Sequence, residues 1–167
     1  DRTVTADKIL IAVGGVPVRP NIPGIEHALV SDDVFNLQAQ PKRMVILGAG
    51  YIGCEFACIM NGLGTKVTQV IRPDLILRSF DNDLRSAVQD GMIHHGVEII
   101  NNTEDVSIAK TDTGVAVTVN SKDGKSVILA DVVSLAALGR KPNTANLGLE
   151  NVDVKTHNGA ILVNADS

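Results

Sequence analysis

The sequence predicts an α/β fold, a parallel sheet flanked by helices and carrying an antiparallel β-meander insertion. Three observations lead there. Short apolar runs at Arg43–Leu47, Lys66–Ile71 and Val97–Ile100 are separated by two stretches of helical period, about residues 52–62 and Asp81–His95, the alternation expected of a β-α-β-α-β unit with buried parallel strands. A glycine-rich segment, residues 48–53, falls at the first strand-to-helix junction. From Glu104 to Leu129 the period changes to two, with Val115, Val117 and Val119 alternating, Asp123-Gly124 as a hairpin signal and Val127–Leu129 returning.

In chain order, Lys8–Val13 reads as a buried strand, and the Gly/Pro-rich stretch from Gly14 to Gly24 can be neither helix nor central strand. Ser31 is placed to cap a short helix through Leu37, and Pro41 precedes the first parallel strand. Asp81 is the expected cap of the second long helix. After the meander, Asp131–Leu138 is a final apolar run returning to the parallel sheet and ending at Gly139-Arg140-Lys141-Pro142. The leading Asp1 and the end at Asn164–Ser167 read as a segment cut from a longer polypeptide.

The bulk numbers narrow the function. A chain of 167 residues supports one substantial core. The mean hydropathy of +0.16 suits a buried sheet, and no apolar run approaches the roughly 18 residues of a membrane span. A net charge of -4, one Tyr, three Phe and no Trp disfavour nucleic-acid binding. Cys54 and Cys58 share a helix face at a spacing with poor disulfide geometry. They read as two small buried hydrophobes in a reduced, cytoplasmic protein, with a functional thiol pair as the alternative. The four histidines show no ligand spacing with them, so no metal is expected.

The chemistry sits in Gly48-Ala49-Gly50-Tyr51-Ile52-Gly53, which follows a strand and opens a helix. In that Rossmann-like context Gly48 makes the tight turn, Gly50 lets the backbone approach a pyrophosphate, and Gly53 lets helix and strand pack closely, with the helix N-terminus facing the anion. A glycine-rich turn without a ligand is the alternative. The next strand ends Gln69-Val70-Ile71-Arg72. A carboxylate there would accept bonds from a free ribose 2′-hydroxyl. Arg72 and Arg78 instead place guanidinium groups where the 2′-phosphate of NADP would lie, unless they are two solvated loop arginines.

With these residues in hand the chain resembles the glutathione reductases of the FAD-dependent pyridine nucleotide-disulfide oxidoreductase family. The resemblance rests on Ile9-Leu-Ile-Ala-Val-Gly-Gly15, Gly48-Ala-Gly-Tyr-Ile-Gly-Cys-Glu55, the stretch from Arg72 through Leu77-Arg78-Ser79-Phe80-Asp81, and Ala137-Leu-Gly-Arg-Lys-Pro-Asn143. It implies an exit strand of a flavin domain at 1–13, a linker and short helix at 14–40, an NADPH-binding domain at 41–139 and the start of a return to the flavin domain at 140–167. It also implies that Tyr51 lies over the flavin until nicotinamide displaces it. Ile52 belongs to the cofactor loop, and Glu55 approaches the nicotinamide carboxamide, paired with Lys66, or is simply a helix-surface carboxylate beside that lysine. Arg72 and Arg78 hold the 2′-phosphate, while Gly139 and Arg140 line the nicotinamide path.

One departure stands out. Many NADPH-using members carry Ala at the third glycine position, where this chain has Gly53, as NAD-using relatives do. The resemblance implies NADPH here and FAD in a full-length homodimeric parent. The first FAD glycine motif, the redox Cys-x4-Cys pair and the His-Glu segment are not in these 167 residues, so the isolated chain is expected to be catalytically inactive. Mercuric reductases, dihydrolipoamide dehydrogenases and NADH oxidases share the architecture, and a stand-alone nucleotide-binding module is a reading from another class.

Overall fold

The computed structural model of the chain describes residues 2–122, 124–131 and 133–165, with only the backbone of residues 133–136. Asp123, one half of the expected hairpin signal, lies outside the described residues, as do Asp1, Val132, Asp166 and Ser167. The chain divides into two compact units, Pro17–Gly139 and a second made of Asp1–Val16 with Arg140–Ser167.

The second unit is small. Strand β1 (Gly15–Pro17) pairs with β9 (Arg140–Pro142), and β10 (Thr156–His157) forms a short hairpin with β11 (Ala160–Ile161) after a 3-10 turn at Leu149–Val152. The expected buried strand at Lys8–Val13 is not formed. The segment is irregular, with Ile9 82% and Leu10 88% exposed. An apolar run becomes a strand only where another strand supplies partners for its N–H and C=O groups, and none of the described strands pairs with it.

The larger unit holds a four-stranded parallel sheet in the order β4-β3-β2-β8. Its strands are β2 (Arg43–Leu47), β3 (Lys66–Val70), β4 (Glu98–Ile100) and β8 (Val133–Ala136). Leu47 is in register with Val70 on one side and with Ala136 on the other. Helices α2 (Tyr51–Gly62) and α3 (Asn82–His94) follow β2 and β3, and β5 (Thr103–Thr111), β6 (Gly114–Ser121) and β7 (Gly124–Ala130) form the antiparallel meander.

Alternation along β2 explains the layering. Met44 and Ile46 join one core with Phe56, Ala57 and Met60 of α2 and Met92 of α3. Val45 and Leu47 point the other way, into a core with Ile108, Val115, Val117 and Val119 of the meander. Both faces of the parallel sheet are therefore covered, which is why its strands read as continuous apolar runs. The meander is covered on one face, which is why β6 alternates. Burying each of the larger of these side chains contributes roughly 1.5–3 kcal/mol before conformational entropy is deducted.

The helix expected from Ser31 to Leu37 is shorter. In α1 (Ser31–Val34) Ser31 is the first helical residue and not the cap. The Asp33 carboxylate accepts the Val30 N–H at 2.9 Å and the Arg19 guanidinium at 3.3 Å, so an acid three residues on, not the serine hydroxyl, satisfies this end. Asp81 caps α3 as expected, accepting from the N–H groups of Asp83 at 2.9 Å and Leu84 at 3.4 Å.

Candidate functional site

The first strand of a parallel sheet that grows in both directions leaves a crevice at its carboxyl end, because the connections on either side turn opposite ways. Here β2 has β3 on one side and β8 on the other. At that edge of the larger unit lies an open cleft of about 510 Å³, lined by Gly48, Gly50, Tyr51, Arg72, Arg78 and Gly139 among others.

Each glycine of the loop has its own steric reason. Gly48 adopts φ 127°, and a Cβ there would sit 2.4 Å from the Ala137 carbonyl oxygen, so only glycine permits this approach of β2 to the exit of β8. A Cβ on Gly53 would meet the Gly48 carbonyl oxygen at 2.9 Å, which is the close packing of helix on strand. A Cβ on Gly50 would meet nothing within 4 Å. Gly50 is thus unnecessary to the protein's own packing, and the space it leaves opens on the cleft. The loop is held from behind by Gln69, fully buried on β3, whose amide donates to the Gly48 carbonyl at 2.8 Å. Its Oε1 has no partner among the described residues.

Helix α2 begins at Tyr51 with Gly50 as cap, and no side chain bonds this end. Its first N–H groups, unsatisfied within the helix, face the loop. Tyr51 is 57% exposed at the cleft mouth.

The second wall is the segment 72–80. Arg72 and Arg78 are exposed and line the cleft, and neither has a hydrogen bond or ion pair among the described residues. Leu77, just before Arg78, is left-handed at φ 55°, and its N–H donates to the Ala49 carbonyl at 2.6 Å. The arginine segment is in this way tied directly to the glycine loop.

Gly48, Gly50, Tyr51, Arg72, Arg78 and Gly139 are thus brought together. Ile52, Gly53 and Glu55 lie on α2 without lining the cleft, Glu55 being exposed. Arg140 belongs to the other unit, where its guanidinium donates to the Gly15 carbonyl. The expected pairing of Glu55 with Lys66 does not occur. Lys66 opens β3 at the amino-terminal edge of the sheet, in a different groove with Arg43 and Glu98, whereas Glu55 follows the carboxyl-edge loop.

The cysteines also divide. Cys54 is buried and Cys58 exposed, and both are free thiols. Burial pushes the Cys54 thiol above its ordinary value, which fits a packing role there but not at Cys58. Sequence reasoning missed Leu77, Gln69, and the α3 residues Arg85 and Gln89, which bond to the arginine segment. A buried glutamine (Gln89) beside a half-buried arginine (Arg85) on an otherwise exposed helix is the available signal, and it shows only once burial is known.

The family model described as pyridine nucleotide-disulphide oxidoreductase matches residues 1–167. The chain is 47% identical over 161 residues to a glutathione reductase of Nostoc sp., covering 96% of this chain and 35% of that protein. It is 35% identical over 170 residues to mitochondrial thioredoxin reductase 2 of Drosophila melanogaster, covering 98% of this chain and 32% of that protein. Among solved structures it is similar to the HOCl-induced flavoprotein disulfide reductase RclA from Escherichia coli, with a TM-score of 0.78, 34% identity, and coverage of 92% of this chain and 35% of that one. The chain therefore spans about a third of the length of these relatives. No helix among the described residues is long and apolar enough to cross a membrane. On the full-length family match, the glutathione reductase relatives and the cleft geometry together, this chain belongs to the pyridine nucleotide-disulphide oxidoreductase family.

Proposed function

We propose that the cleft binds NADPH and that, in the complete protein, it delivers hydride to FAD for the reduction of a glutathione-type disulfide. The observation that carries the reading is the pair Arg72 and Arg78, lining the same cleft as the glycine loop with no counter-charge of their own. Among the described residues no acidic side chain lines that cleft, so a free ribose hydroxyl lacks its usual acceptor and a 2′-phosphate has two donors.

In this reading the backbone at Gly50 and the open start of α2 receive the pyrophosphate, and Gly48 and Gly53 fix the loop's shape. Tyr51, held at the mouth, covers the nicotinamide position and excludes water until the ring enters. Glu55 orients the carboxamide, and Gly139 with Arg140 continues the nicotinamide path. Bound there, NADPH would supply a hydride and FAD would take it up, with the flavin site, the redox cysteines and the homodimer contacts lying in the rest of a cytoplasmic parent. A Cβ on Gly53 would crowd the Gly48 carbonyl oxygen at 2.9 Å, so loop packing alone accounts for a glycine there, and the arginines are read as the specificity determinant.

Calorimetric titration with NADPH and NADH tests the proposal. Two exposed guanidinium contacts to phosphate, each near the low end of roughly 1.5–3 kcal/mol, give a preference for NADPH on the order of 100-fold at low salt. Arg72→Ala with Arg78→Ala should remove most of it and leave NADH affinity nearly unchanged. Raising the salt should shrink the preference, because exposed charge pairs are screened. Equal affinities at low salt would move the assignment to an NADH-using relative such as a dihydrolipoamide dehydrogenase or an NADH oxidase.

A further inference from the structure

Two side chains of α3 grip the backbone immediately before Arg78. Arg85 donates through Nε to the Ile76 carbonyl at 2.7 Å and through its guanidinium to the Leu75 carbonyl at 3.0 Å. Its remaining arm bonds Asn82 at 2.7 Å. Gln89, 8% exposed, accepts the Ile76 N–H at 3.1 Å. Both polar groups of the Ile76 backbone are therefore held by α3, and the Ile76 side chain is itself completely buried. The next residue, Leu77, takes the left-handed conformation that leucine rarely adopts, with its N–H on the Ala49 carbonyl. Arg78 then emerges into the cleft.

We propose that Arg85 and Gln89 are specificity-positioning residues. They hold the Ile76–Leu77 backbone so that Arg78 is delivered to the site of a phosphomonoester on the bound dinucleotide, while touching no ligand themselves. This rests on the NADPH reading above. The logic is preorganisation: an exposed arginine loses much conformational freedom on binding an anion, and less of that loss falls on the binding step when the backbone beneath it is already fixed. Gln89 is a strong acceptor in a dry site and Arg85 spans two carbonyls in fork geometry, which lysine cannot do. Ordinary loop packing would not require three directed bonds to two consecutive peptide groups.

The test compares NADPH and NADH affinities of the 167-residue chain by calorimetry, for Arg85→Met, Arg85→Lys and Gln89→Leu, each alone and combined with Arg78→Ala. Arg85→Met should lower NADPH affinity about tenfold and leave NADH affinity within about twofold, since only the phosphate contact depends on the clamp. Arg85→Lys, keeping one donor, should fall between. Added to Arg78→Ala, none of the three changes should reduce the remaining preference further, the coupling expected of residues that act through one another. If the Arg85 and Gln89 variants weaken both dinucleotides equally, or leave the preference intact while Arg78→Ala lowers it, the clamp is only structural and the proposal is wrong. If Arg78→Ala itself leaves the preference unchanged, the NADPH reading fails and the positioning role falls with it.

Discussion

The two long helices begin in opposite ways. Helix α3 closes its own N-terminus, with the Asp81 carboxylate accepting from Asp83 and Leu84, whereas α2 begins at Gly50 with no side-chain acceptor. A capped helix end costs nothing to leave in water and has little left to offer a ligand. An uncapped end retains unsatisfied donors and the positive end of the dipole, so the missing cap is a loss of stability that an anion can restore. The same contrast recurs among the cations. At the amino-terminal edge of the sheet Arg43 is bonded to Asp131, while at the carboxyl edge Arg72 and Arg78 have no partner among the described residues. Among the described residues, Arg43 is neutralised within the fold, whereas the two arginines of the cleft are not.

The strongest way to break this comparison is to fill the open end. Gly50→Val places a branched side chain where the protein itself leaves nothing within 4 Å, in a backbone conformation, φ -81° and ψ 170°, that valine accepts. Dinucleotide affinity should fall about 100-fold or more, near 2.7 kcal/mol, with the melting temperature almost unchanged. Gly53→Ala, three residues on, should do the reverse. Its methyl meets the Gly48 carbonyl at 2.9 Å, so thermal denaturation should show a loss of about 1–3 kcal/mol from overpacking. If both variants unfold the chain equally, the loop is merely a packed turn.

A smaller effect is expected at the closed end. Asp81→Ala removes the cap of α3 and should cost about 1 kcal/mol, a drop of roughly 2–8 °C in melting temperature for a domain of this size. NADH affinity should hold within about twofold, because the donors proposed for the pyrophosphate are at the start of α2, not α3. An equal loss of binding would mean that the two helix ends are not independent.

The smallest effect sharpens the cation contrast. Hydrogen bonding from the Arg43 guanidinium holds the Asp131 carboxyl below the usual carboxylate range. The folded state therefore keeps Asp131 ionised at pH values where the unfolded chain already binds a proton. The stabilisation is present above the ordinary carboxylate pKa and is lost as pH falls through the lowered one. Asp131→Asn should flatten the acid limb of the stability profile in this range and leave dinucleotide binding at neutral pH unaltered. An unchanged acid limb would show the pair to be energetically silent.

What sequence alone determined about this chain is what short-range physics controls. The run at 43–47 had to be a strand covered on both faces, since after Arg43 it has no polar side facing water. The period-two valines of 115–119 had to be half covered, and Gly48 to Gly53 after a strand had to be a tight strand-to-helix turn. Asp81 was readable as a cap because the acceptor and the donors it serves are two and three residues apart. Tertiary structure alone decided which groups lacked partners. Cys54 and Cys58 look alike in sequence, yet one is buried and the other exposed. Glu55 and Lys66 look like a pair and lie toward opposite edges of the sheet. Lys8–Val13 has the composition of a buried strand and remains irregular without a neighbour to bond. The roles of Gln69, Arg85 and Gln89 were invisible for the same reason. Local conformation follows from the residue and its near neighbours, but satisfaction of a polar group is settled by whichever distant segment folds against it.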